Sequence, residues 1–153
     1  MIGPSQEYRR IAVRRPPKLH GGLDAAAYQI MGTRRRGVGH FLELHALAQA
    51  VDALSPGLRT QADHRLRETI QECAALYRRQ RENDEVLVRA LAAIREVTAR
   101  QTGLHPYLVQ VVGALALHRH YLAEMATGEG KTLTAAMAAV LAGMSGRPCH
   151  IVT

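Results

Sequence analysis

The sequence predicts an α/β fold: a helical N-terminal region followed by the start of a parallel-sheet domain. Three observations predict it. A glycine loop, Thr127-Gly128-Glu129-Gly130-Lys131-Thr132, lies between a short apolar run and an alanine-rich helical pattern. A second short apolar run closes the chain. Between residues 40 and 103 the apolar residues recur at helical spacing.

Residues 1–22 read as a mostly flexible arm, because Gly3-Pro4, Pro16-Pro17 and Gly21-Gly22 interrupt any regular element. Leu23–Met31 could form a short helix, with Asp24 near its start. From His40 the pattern is helical: Leu44, Leu47, Val51 and Leu54 repeat on one face until Ser55-Pro56-Gly57 stops them. A second helix is expected over Leu58–Glu82, with Leu66, Ile70, Cys73 and Tyr77 inward. Asn83 is a good N-cap for a third, whose stripe is Leu87, Leu91 and Ile94 and whose end is near Gly103. His105-Pro106 opens a fourth over Tyr107–His118, in which Gly113 allows close packing.

Tyr121–Met125 then reads as a strand, and Leu133–Met144 as the helix after the loop, with Gly146 past its end. Arg147-Pro148 turns the chain into a second strand, Cys149–Thr153. Strand, crossover helix and strand make a right-handed parallel unit. Two such strands leave open edges, so the sheet reads as truncated.

Strand, glycine loop and helix are the order that a phosphate-binding loop requires. Gly128 and Gly130 let the backbone turn and bring N–H groups close to an anion. The helix start adds unpaired N–H groups and a positive dipole end. Lys131 would reach the terminal phosphates of a nucleotide, and the Thr132 hydroxyl would ligate magnesium. The general pattern places a Gly where this chain has Met125. Hydrolysis would further need an acidic pair at the end of another strand. The only Asp-Glu neighbours, Asp84-Glu85, open a helix instead.

Composition narrows the rest. Aromatic residues are 4% of the chain and Trp is absent, so the core is aliphatic. Cys73 and Cys149 form no framework, which favours a reducing, cytoplasmic setting. No apolar run approaches the roughly 20 residues needed to cross a bilayer. The net charge of +7 is uneven: residues 1–40 carry eight Arg or Lys against two acids, while the remainder is nearly neutral. Such a basic arm suits an acidic surface. Nucleic acid is the weaker partner, because no aromatic residues are interleaved to stack bases.

The string Glu124-Met125, Thr127-Gly128-Glu129-Gly130-Lys131-Thr132-Leu133 resembles the first nucleotide-binding domain of the SecA family, ATP-driven motors of bacterial preprotein export. Tyr107-Leu108-Val109-Gln110, Gly113, Leu117, Ala123 and His150-Ile151-Val152-Thr153 extend the resemblance. It also accounts for Met125, since the family has Met there. The Ala90–Gly103 helix fits more loosely. Where the family has Arg, Phe and Asp, this chain has His105, Tyr107 and Leu108.

The resemblance implies a helicase-like P-loop domain over 104–153, a packing helical region over 40–103 and a basic arm over 1–39. It implies ATP and Mg2+ as ligands, with Lys131 as the catalytic loop lysine, Thr132 as the metal ligand and Gln110 at the adenine. Thr127, Gly128, Glu129 and Gly130 complete the binding loop, although Glu129 has no evident chemistry of its own. The implied partners are an unfolded preprotein, a membrane channel and acidic lipid, reached from the cytoplasm at the inner membrane. Two alternatives remain: a nucleic-acid motor of the helicase class, and a non-enzymatic interaction module.

Overall fold

In the computed structural model, the residues described are Ala26, 30–32, 38–79, 83–146 and 148–151. The chain divides into two units, Met1–His40 and Phe41–Thr153, and the second carries the architecture below. The expected arm over 1–22 lies outside the described residues. So does most of the expected Leu23–Met31 helix, of which Ala26, Ile30 and Met31 are described and helical.

The helices are α1 (Val38–Arg59), α2 (Asp63–Arg78), α3 (Asp84–Thr102), α4 (Leu108–His118) and α5 (Lys131–Met144). Helix α3 is the axis of the core. It buries every residue from Val86 to Glu96 except Arg89, so it is covered on nearly all sides and not along a single stripe. Ala90, Ala92 and Ala93 permit this, because small residues let neighbouring helices approach. Helices α2 and α5 pack on α3, and α4 packs on α5. The core joins Leu87 and Leu91 of α3 to Val111 and Leu115 of α4 and to Met137 and Leu141 of α5.

Local chemistry sets the helix ends. The Asn83 side chain accepts the Val86 N–H at 2.9 Å, and Gly103 closes α3 at φ 70°, as the sequence predicts. Helix α1 differs from its expected stop. It runs through Pro56 to Arg59, because a proline so near the end removes only one ladder bond. Ser55 Oγ meanwhile bonds the Val51 carbonyl. The buried face of α1 is accordingly Leu44, Ala48, Val51 and Ser55, whereas Leu54 is exposed. Helix α2 starts later than expected, at Asp63, after a break at Gln61-Ala62.

Helix α4 ends on a non-glycine residue in the left-handed region, His120 at φ 61°. The Tyr121 N–H donates to the Ala116 carbonyl at 2.8 Å and the His120 N–H to Leu117 at 3.0 Å. This is the Schellman arrangement, and it aims the chain from α4 toward the glycine loop.

The expected parallel sheet is not present: the described residues are helix, turn and irregular chain, with no strand. Tyr121–Ala126 does alternate half-buried and exposed, as a strand with one covered face would. A strand also needs a neighbour to exchange N–H and C=O groups, and Cys149–Ile151 does not provide that ladder. Val152 and Thr153 lie outside the described residues. The period-2 pattern thus registers packing on one face without pairing at the edges, and the fold of the described residues is helical instead of α/β.

Candidate phosphate-loop site

The candidate site is the 126–132 loop together with the start of α4 beneath it. Two glycines make the turn: Gly128 at φ 92° and Gly130 at φ 82°. Gly130 is also the N-cap of α5, so Lys131 and Thr132 stand in that helix's first turn. Space as well as backbone geometry demands glycine here. A Cβ on Gly130 would lie 2.2 Å from Gln110 Nε2.

Gln110 is buried at 5% exposure, and both ends of its amide are used. Its Oε1 accepts the Tyr107 N–H at 3.0 Å, the return half of a capping box on α4. Its Nε2 donates to the Glu129 carbonyl at 2.8 Å. The side chain therefore ties the first turn of α4 to the glycine loop.

The loop's own charges converge on one residue, Ala126. Glu129 Oε2 accepts the Ala126 N–H at 2.8 Å. Lys131 Nζ donates to the Ala126 carbonyl at 3.0 Å, which also accepts the Glu129 N–H at 3.3 Å. Among the described residues, the N–H groups of Thr127, Gly128, Gly130 and Lys131 meet no acceptor. Unpaired amides at a helix start, beside one lysine, are a donor set that fits an anion such as a phosphate. Thr127 and Thr132 are exposed beside them. The structure thus brings Gln110, Glu129, Gly130 and Lys131 into one connected cluster, with Thr127, Gly128 and Thr132 on the same loop.

Behind the site, α4 and α5 meet closely. A Cβ on Gly113 would lie 2.8 Å from Thr134 Cγ2 and 3.6 Å from Met125 Sδ, so Gly113 sets the distance between the helices. The Pro106 entry to α4 is held by Arg95, which is 4% exposed. Its guanidinium donates to the Pro106 carbonyl at 2.8 Å, to Asp52 Oδ1 at 2.6 Å and to Ser55 Oγ at 3.0 Å. The hydrogen bond from Arg95 holds Asp52 below the usual carboxylate range. His105 Nε2 lies 3.0 Å from Arg59 Nη2 and accepts from it. Partial burial, and then the charges of Arg95 and Arg59, hold His105 below its ordinary value.

Sequence reasoning did not find this support. Arg95 follows Ile94 on a helix that buries both, and a charged residue inside an apolar run was the available signal. The contact from Glu129 to Ala126 had no signal, because a loop-tip carboxylate reads as solvated. An open cleft of about 1060 Å³ lies further along α4 and α5, lined by Arg78, Asp84, His118, His120 and His150 among others. It contains none of the loop residues.

Comparison with known proteins bears on the same segment. The family model described as the SecA DEAD-like domain matches residues 30–153. The chain is 39% identical over 139 residues to protein translocase subunit SecA 2 of Magnetococcus marinus, covering 90% of this chain and 21% of that protein. It is 38% identical over 151 residues to protein translocase subunit SecA 2 of Chlorobium chlorochromatii, covering 98% and 23%. It is 42% identical over 108 residues to the chloroplastic protein translocase subunit SecA of Ostreococcus lucimarinus, covering 71% and 12%. The chain thus spans less than a quarter of the length of these relatives.

Proposed function

Since the chain belongs to the SecA DEAD-like domain family, we propose that its 126–132 loop binds the phosphates of ATP for a protein-translocation motor. The observation that carries this reading is the joint at Gly130. There a left-handed glycine hands a loop with unpaired N–H groups directly to a helix that opens on Lys131 and Thr132. Bound magnesium-ATP supplies the phosphoanhydride whose cleavage powers such a motor.

The chain's own residues divide the work of binding. The amides of Thr127, Gly128, Gly130 and Lys131 would hold phosphate oxygens in place of water. Lys131 would exchange a neutral acceptor, the Ala126 carbonyl, for an anionic one, a stronger hydrogen bond. Thr132 would offer its hydroxyl to magnesium. Gln110 would stay beneath the loop and keep its backbone in shape, and any contact from its amide to adenine would require release of Tyr107 or Glu129. Cleavage would draw its acidic residues from elsewhere in the motor. Preprotein, membrane channel and acidic lipid are the partners such a motor would engage, the last through the basic residues of 1–39.

No helix among the described residues is long and apolar enough to cross a membrane. The test is calorimetric titration of the chain with magnesium-ATP beside Lys131→Ala. Saturable binding that the substitution weakens about tenfold or more supports the reading. Equal binding by both chains, or none, refutes it.

A further inference from the structure

We propose that Glu129 is a latch on the glycine loop: its carboxylate holds the Ala126 N–H until an entering polyphosphate displaces it. The inference rests on the phosphate-binding reading above and adds a control to that site. Its basis is the way one residue, Ala126, is clasped at both its N–H and its carbonyl. The Ala126 N–H is held by Glu129 Oε2 at 2.8 Å. The Ala126 carbonyl is held by Lys131 Nζ at 3.0 Å and by the Glu129 N–H at 3.3 Å. The carboxylate and the ammonium nearest the loop's free amides are thus both engaged internally.

A phosphate in the cradle changes both contacts. It draws Lys131 away from Ala126, because an anionic oxygen is a better acceptor than a neutral carbonyl. It also sets negative charge close to the Glu129 carboxylate, within the same few residues, where like charges repel. Release needs only side-chain rotation. The Glu129 backbone stays fixed, since its carbonyl is held by buried Gln110 at 2.8 Å. Gly130 beside it lies against the same Gln110 amide. A rigid backbone carrying two exposed, rotatable charged side chains is the construction of a latch. An idle loop-tip carboxylate would have no partner.

Two substitutions separate the acceptor from its charge. Glu129→Gln keeps an oxygen for the Ala126 N–H and loses the charge, while Glu129→Ala loses both. Titration with MgADP is expected to show Glu129→Ala binding about two- to fivefold tighter than wild type, with Glu129→Gln between them. Amide NMR without nucleotide gives a second readout: the Ala126 N–H resonance moves further in Glu129→Ala, which removes its acceptor, than in Glu129→Gln, which keeps one. Unchanged or weaker binding by Glu129→Ala overturns the latch, as does an Ala126 amide that stays still in Glu129→Ala. Absence of MgADP binding in wild type and both variants overturns the phosphate-binding reading and the latch's purpose with it. An Ala126 amide that moves in Glu129→Ala then distinguishes that failure from a missing contact.

Discussion

Replacing Gly130 with alanine tests the local geometry most sharply, because two independent costs meet there. A Cβ residue held at φ 82° carries about 1–2 kcal/mol of left-handed strain. The new methyl would also sit 2.2 Å from Gln110 Nε2 and 3.1 Å from its Cδ. The amide can move aside only by giving up the Glu129 carbonyl and the Tyr107 N–H. Stranding a buried amide costs about 1–3 kcal/mol. Gly130→Ala should therefore destabilise the chain by about 2–5 kcal/mol.

Gln110→Ala alone loses the two bonds but frees the space. In the double variant only the strain and the lost bonds remain, so the pair should cost about 1–3 kcal/mol less than the two single changes added. Urea unfolding followed by far-ultraviolet circular dichroism measures all four corners of the cycle. Costs that simply add, within about 0.5 kcal/mol, would show that the two residues do not touch and would refute the argument.

Four further outcomes are expected. Gly113→Ala should cost about 1–3 kcal/mol by pressing on Thr134 Cγ2, and adding Thr134→Ser, which removes that methyl, should restore most of the loss in a thermal melt. Arg95→Met should destabilise by about 2–4 kcal/mol, since it leaves the Pro106 carbonyl and Ser55 without their buried partner; a urea midpoint within error of wild type would contradict that role. His120→Gly should stabilise by about 0.5–1 kcal/mol by relieving the left-handed cap of α4, read as a higher melting temperature. His105 is neutral in the fold and has its folded pKa below the ordinary 6.5, so the unfolded chain takes up its proton first as pH falls. Its contribution is complete above pH 6.5 and is lost as pH drops below it; stability measured from pH 7.5 to 5 should fall less steeply in His105→Asn than in wild type.

Much of the helical framework was legible because its signals are local. Asn83 and Gly103 mark the ends of α3 by cap chemistry that needs no tertiary context. Gly113 announced close packing for lack of a side chain, and Gly128 and Gly130 announced a turn. Three features were not legible. The burial of α3 on nearly all sides depends on what surrounds it, and its apolar stripe gave only one face. The left-handed end of α4 falls on His120, where no glycine marks it. The two apolar runs read as strands because alternation reports which side of a segment is covered. Whether a ladder forms depends on a neighbouring backbone, and no residue within Tyr121–Met125 encodes that.

The loop residues were conspicuous as a set, yet their contacts were not. Gln110 stood out through its resemblance to an adenine-contacting glutamine. The structure shows its amide bonded to the loop and to the start of its own helix, contacts that no sequence signal announced. Glu129 carried no signal, since a carboxylate that bonds a backbone amide three residues away looks in sequence like any surface acid.

The central claim is that this loop is an electropositive cradle for a polyphosphate. The most direct measurement is the response of backbone amide resonances to added magnesium-ATP, in wild type and in Lys131→Ala. The account predicts saturable shifts centred on Gly128, Gly130, Lys131 and Thr132 in wild type, largely lost in the variant. Loop resonances that stay still at saturating nucleotide, or shifts that survive the substitution unchanged, would contradict it.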